Sequence, residues 1–206
     1  LARESNRAAL PRTVLALGLV SLLTDVSSEM IFPLLPAFLA SRVANAPLVL
    51  GAMEGVAEFV ASLLKYLSGR WSDRAVRLKP LVLLGYGIST GVRPLMGLVT
   101  QAWQPLLIRA LDRVGKGLRS TPRDALIAHA VPEGARARAF SFHSGMDHAG
   151  AALGALCATV LTWWGLSVPH IFFASFLPGV LAVAALALAQ EPSNRPVAEN
   201  RATQAL

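Results

Sequence analysis

The sequence predicts an all-α membrane protein: six transmembrane helices forming one bundle. Three observations carry this. The 206-residue chain is 54% hydrophobic and 15% charged, with a mean hydropathy of +0.52, whereas soluble domains carry roughly 25% charge. Its apolar residues gather into six segments near the ~20 residues a helix needs to cross a bilayer. Lys and Arg concentrate in alternate connections, the pattern of a chain threaded repeatedly through a membrane.

The segments are approximately Val14–Leu39, Leu48–Leu67, Pro80–Val99, Trp103–Gly117, Phe140–Trp164 and Pro169–Ala189. The fourth is the shortest, because Arg109, Asp112 and Arg113 crowd its inner end. Pro33, Pro36, Pro94 and Pro178 are expected to bend these helices without ending them, since neighbouring helices re-satisfy the freed backbone groups. The connection "RDALIAHAVPEGARARA" is expected to lay a short amphipathic helix along the inner surface before turning at Pro132-Glu133-Gly134.

Orientation follows from the basic residues. The amino-terminal flank holds Arg3, Arg7 and Arg12, and the second connection Arg70, Arg74, Arg77 and Lys79. The fourth connection, with the end of its helix, holds Arg113, Lys116, Arg119, Arg123, Arg136 and Arg138, and the tail Arg195 and Arg201. The intervening connections carry only Arg42. Both termini are therefore expected in the cytoplasm. Residues 1–12 form a cytoplasmic flank, 13–189 the bundle, and 190–206 a polar, proline-broken tail or inter-half linker. The expected location is multi-pass in a cell membrane, the inner membrane of a bacterium, with the lipid bilayer as a partner.

The net charge of +7 does not predict a nucleic-acid partner, because the basic residues punctuate apolar segments and tile no single surface. No metal or cofactor is expected. Cys157 stands alone among Ala and Leu and reads as a packing residue. In "HSGMDH", His148 is rotated about 100° from Asp147, so His143, Asp147 and His148 do not make one ligating face. His143 and Asp147 do share a face and suit a hydrogen bond. "RVGKGLRS" lacks phosphate-loop spacing, and its bases are explained by topology. No serine has a positioned base, so no enzyme is expected.

The informative residues are the charges within the apolar segments. A charge at mid-bilayer costs about 2.5–3.5 kcal/mol on insertion scales, so such groups face protein or water. Asp25 and Glu29 lie four apart in the first segment, on one helical face. Glu54, Glu58 and Lys65 lie in the second, Arg93 in the third, Arg109 in the fourth, and His143 and Asp147 in the fifth. Their spread predicts a shared, water-accessible interior lined by Asp25, Glu29, Glu54, Arg93, Arg109 and Asp147.

The link "GRWSDRAVRLKPL" resembles the signature of the major facilitator superfamily, in which glycine and Asp-Arg precede spaced basic residues. Gly69, Asp73, Arg74, Arg77 and Lys79 fill its positions, with Val76 where glycine is usual. "LLIRALDRVGKG" is similar to a family segment through Arg109 and Asp112. "GAALGA", with Ala155 in place of the usual proline, looks like its glycine-rich fifth helix. The run "DRVGKGLRSTPRDAL" with "RAFSFHSGMDHAG" resembles an uncharacterised bacterial branch.

The resemblance implies the amino-terminal half of a two-bundle fold and no cofactor. It implies a secondary active transporter that moves a small-molecule substrate by alternating access, driven by protons. Asp25, then Glu29, would be the protonatable group, because a carboxylate in a poorly hydrated cavity can load and release protons. Arg109 and Arg93 would supply the opposing charge. Gly69, Asp73, Arg74, Arg77 and Lys79, with Asp112, would form the cytoplasmic gate. The partner is a second six-helix half, supplied by a longer chain, a split gene or a second copy. The alternative is a non-transporting assembly module or degenerate half, and the DNA beyond the Leu206 codon discriminates the two.

The topology has a direct test. Alkaline phosphatase fused after Gln101 is expected to be active, and fused after Arg77 inactive; the opposite pattern reverses the orientation.

Overall fold

The computed structural model describes residues 9–75 and 77–190. The flanking arginines at positions 3, 7, 195 and 201, the tail and Val76 lie outside the described residues. Among these residues eight α-helices follow one another: α1 Arg12–Glu29, α2 Leu35–Ala40, α3 Ala46–Arg74, α4 Lys79–Val92, α5 Trp103–Ala130, α6 Arg136–Trp163, α7 Val168–Ala174 and α8 Phe176–Ala185. 3-10 turns at Arg93–Leu98, Glu133–Ala135 and Leu186–Leu188 complete the helical content among the described residues.

The six segments read from the sequence correspond, in order, to α1 with α2, α3, α4 with its 3-10 extension, α5, α6, and α7 with α8. Between α1 and α2 the backbone ladder continues through the turns: Phe32 N donates to Ser28 O at 3.2 Å and Leu34 N to Ile31 O at 3.1 Å. Pro33 lacks an N–H, and here the helix loosens and then resumes. Pro94 sits where α4 tightens into 3-10 geometry. Pro122 lies inside α5 without ending it. The short surface helix expected after Arg123 is not separate. It is the last part of α5, which runs 28 residues to Ala130, about 42 Å at 1.5 Å per residue. Buried Leu126 and Ile127 hold that extension against the core.

Among the described residues, three helices are long and apolar enough to cross a membrane: Ala46–Arg74, Lys79–Leu98 and Val168–Leu188. α1, α5 and α6 carry the polar and charged side chains described below, which lowers their hydropathy.

Packing is strongly paired. α3 lies along α5, α1 along α6, and α4 along α5, while α8 bridges α1 and α4. Small residues set these approaches. A Cβ on Gly115 would fall 2.5 Å from both Gly85 O and Ser89 Oγ, so α4 and α5 meet backbone to backbone. Gly154 stands equally close to Val26 O, and Gly150 to Leu22, along the α1–α6 seam. The spacing Gly150-x-x-x-Gly154 is the pattern by which membrane helices pack through dispersion where lipid removes the hydrophobic drive. Cys157, expected to pack, is instead exposed on α6.

Among the described residues, two large apolar clusters result, beside a small one of Met30, Ala158 and Ile171. One joins Val14, Leu17 and Val20 to Leu78, Tyr86, Ile127 and Leu186. The other joins Ile31, Leu35 and Phe38 to Met53, Met96 and Phe172. The chain order of these residues sets the clusters at opposite ends of the bundle. The buried polar residues Thr24, Ser27, Ser89, Arg93 and Asp112 occupy the layer between.

Gly115→Val is expected to lower the melting temperature in detergent by an amount equivalent to about 1–3 kcal/mol of overpacking. Gly87→Ala, with open space beside its α-carbon, should leave it unchanged or raised. Equal effects would remove the close-approach explanation.

Candidate functional site: a charged crevice

A cavity of about 890 Å³ opens along the bundle, within the size range of ligand sites in proteins. α1 contributes Ser21, Asp25, Ser28 and Glu29, spaced to share one helical face. α5 contributes Arg109, Arg113, Lys116 and Ser120, again one face. Glu54 and Lys65 enter from α3, Arg93 from the 3-10 turn after α4, and Asp147 from α6. All six residues expected to line an interior, Asp25, Glu29, Glu54, Arg93, Arg109 and Asp147, are thus brought to one crevice. Glu58 and His148 are exposed and outside its lining.

At its floor lies a chain of ion pairs. Arg93 Nε donates to Asp112 Oδ1 at 2.9 Å, and both side chains are buried. Arg93 Nη1 also donates to the Thr24 carbonyl at 2.9 Å, which ties the link to α1. Arg109 Nη1 lies 3.5 Å from Asp112 Oδ2. On its other side the Arg109 fork holds Glu54, with Nε–Oε1 at 3.1 Å and Nη2–Oε2 at 3.2 Å. Its guanidinium sits 3.7 Å from the Phe32 ring centroid, a stacked position that Lys would fill poorly. Two acids and two bases therefore alternate, so the buried charges compensate one another.

Two expectations are corrected here. Asp112 does not join Asp73, Arg74 and Arg77 in a surface latch, because it is buried between Arg93 and Arg109. Nor do Arg93 and Arg109 pair with Asp25 or Glu29, since Asp112 and Glu54 already occupy them. Of the motif residues, Asp73, Arg74 and Arg77 are exposed and Gly69 is partly buried beside Thr121. Lys79 donates from Nζ to the Ala187 and Ala189 carbonyls at 3.2 and 2.7 Å, closing the free end of the last helix. A cation there satisfies carbonyls that have no helical donor.

A third correction concerns the bases assigned to topology. Arg113, Lys116, Arg119 and Arg123 all line the crevice. Arg119 is buried, donating to Ser89 Oγ at 2.6 Å, with its guanidinium 4.5 Å from the Tyr86 ring centroid. The signal was present in the spacing 109, 113, 116, 120, a helical face running past the expected end of the span. On α6, Asp147 accepts a hydrogen bond from Ser21 Oγ, and His143 Nε2 lies 3.8 Å from Asp147 Oδ1. The expected pairing of His143 and Asp147 is thus mediated in part by α1.

The helical arrangement has close counterparts among solved structures. Crystal structures of a bacterial homologue of the human lysosomal transporter Spinster, inward-facing and either unoccupied or occupied, superpose with TM-scores of 0.69 and 0.70. They share 18% and 19% identity, and cover 91% and 89% of this chain but 45% and 44% of theirs. The sequence itself matches the Major Facilitator Superfamily over residues 17–205. The chain belongs to that superfamily.

It is 34% identical over 198 residues to an uncharacterized MFS-type transporter of Methanocaldococcus jannaschii, covering 94% of this chain and 49% of that protein. An uncharacterized protein of Mycobacterium tuberculosis is 33% identical over 186 residues, 90% of this chain and 45% of its own length. The multidrug resistance protein MdtH of Photorhabdus laumondii is 29% identical over 166 residues, 81% and 40%. The chain spans about half the length of the curated relatives it matches.

Removing one partner of the buried chain should be costly. Arg93→Met leaves Asp112 with a single, longer contact and is expected to destabilise by about 3–5 kcal/mol. Arg93→Met combined with Asp112→Leu should recover more than half of that loss in thermal unfolding. A double variant no better than the single one would show that the pair does not act as a unit.

Proposed function

We propose that this chain is the amino-terminal half of a secondary active transporter, in which six spans enclose one wall of a solute path and a second six-helix bundle the other. Both termini lie in the cytoplasm of a multi-pass protein in a bacterial inner membrane. The solute moves by alternating access as the two bundles rock about a site near the midplane. The tail beyond Gln190 is the link to the second half, and Asp73, Arg74 and Arg77 belong to the cytoplasmic gate.

One observation carries this reading. The crevice gathers ionisable side chains from α1, α3, α5 and α6 onto a single open face. Structural ion pairs account for Arg93, Arg109, Asp112 and Glu54. Asp25 and Glu29 stay outside that set and form no ion pair within 4 Å among the described residues. They are the carboxylates free to bind and release protons during a cycle, with Asp25 in first place. The relatives' names, a multidrug resistance protein and an MFS-type transporter, support solute transport.

The test is proton-coupled flux by the completed two-bundle assembly in sealed vesicles, read with a trapped pH dye. Asp25→Asn is expected to abolish uphill accumulation while sparing downhill exchange of the same solute. Uphill accumulation at the unaltered rate would take Asp25 out of this role.

A further inference from the structure

Once the Arg93–Asp112–Arg109–Glu54 set, the Arg123–Asp124 contact (2.9 Å) and the Ser89-bound Arg119 are set aside, the remaining charges of the crevice sort by wall. Asp25, Glu29 and Asp147 belong to α1 and α6, which pack along each other. Lys65, Arg113 and Lys116 belong to α3 and α5, the other tightly packed pair. One wall is therefore acidic and the other basic.

The two walls do not neutralise each other. Among the described residues, Asp25, Glu29, Lys65, Arg113 and Lys116 take part in no ion pair within 4 Å. Yet Glu29 lies within electrostatic reach of Arg109 and Arg93 and then of Arg113 and Lys116, and Asp25 of Arg93 and Arg119 and then of Lys116. Arg113 Nε is buried with no hydrogen-bond partner, and a buried donor left unsatisfied is costly. Opposed charges held apart across an open volume are complementary to a solute that bears both signs at once. A singly charged solute would leave one wall uncompensated.

We propose that the transported solute is a small zwitterion, of amino-acid to dipeptide size, with its cationic group toward Glu29 and Asp25 and its anionic group toward Arg113 and Lys116. This rests on the transporter reading for movement across the membrane, but the recognition can be measured without flux. A carboxylate or phosphate accepts from the Arg113 guanidinium and the Lys116 ammonium that line the crevice, and an ammonium pairs with Glu29. Size is bounded by the ~890 Å³ crevice before the second bundle closes over it.

The experiment is a thermal-shift and equilibrium-binding series on the full chain with its second half. The probes are amino acids and dipeptides, each beside its methyl ester (cation) and its N-acetyl form (anion). The zwitterion is expected to bind at least about tenfold tighter than either capped form, the scale of one charge-assisted contact. Glu29→Gln should erase the preference over the N-acetyl anion alone, and Arg113→Gln the preference over the methyl ester alone. That reciprocal pattern is one a merely structural role would not produce.

Equal binding of a capped form, absence of binding across the panel, or variants that shift both preferences together would each overturn the proposal. Zwitterion binding without flux would defeat the transporter reading and leave this one standing. Flux of singly charged solutes with no zwitterion preference would do the reverse.

Discussion

The structure depends on one compensated set of charges, three of them buried. Arg93, Asp112, Arg109 and Glu54 alternate in sign across three elements, and Arg93 reaches a fourth through the Thr24 carbonyl. Alone, Arg93, Asp112 or Arg109 would be expelled from a low-dielectric interior, whereas Glu54 reaches the open crevice. Together they hold the 3-10 turn, α5, α3 and α1 in one register. Their geometry is restrictive: a bidentate fork to Glu54 and a ring under the guanidinium fix Arg109 in both position and plane. Such a set offers specificity more than stability, since well-packed apolar side chains hold helices at least as firmly.

Close helix approach makes this set possible. Gly85 against Gly115 brings α4 and α5 near enough for Ser89 Oγ to donate to the Asp112 carbonyl at 3.1 Å and to accept from Arg119. Gly150 and Gly154 bring α6 onto α1, which places Asp147 beside Ser21. Glycines and serines thus work as a unit: the first remove bulk, the second satisfy the donors that the close approach buries.

The consequence is an asymmetric interior. Tight seams α1–α6 and α3–α5 act as two boards, and the crevice is the space between them. Glu54 and Arg109 neutralise each other within the α3–α5 seam, while the acids of α1 and α6 stay apart from the free bases of α3 and α5. The crevice is open along one side, and the chain spans about half the length of the curated relatives it matches.

Much of this was legible in the residues. Six apolar segments and an alternating basic pattern marked the helices in order, and the intramembrane charges named every residue expected to face a common interior. "GRWSDRAVRLKPL" marked the family. What stayed hidden was pairing. Asp112 reads equally well as a surface residue at a helix end, and only the meeting of α4 with α5 buries it against Arg93, 19 positions away. Arg113, Lys116 and Arg119 read as inner-surface charge because composition ends a span at its first cluster of bases, whereas the helix continues wherever its other face is buried. Periodicity along one helix reports which residues share a face; it carries no information about the face across from it. The sequence by itself determined the helices, the family and six of the residues that line the polar interior. Tertiary structure alone decided which charges cancel and which stay open, because that depends on distances of a few ångströms between segments far apart in the chain.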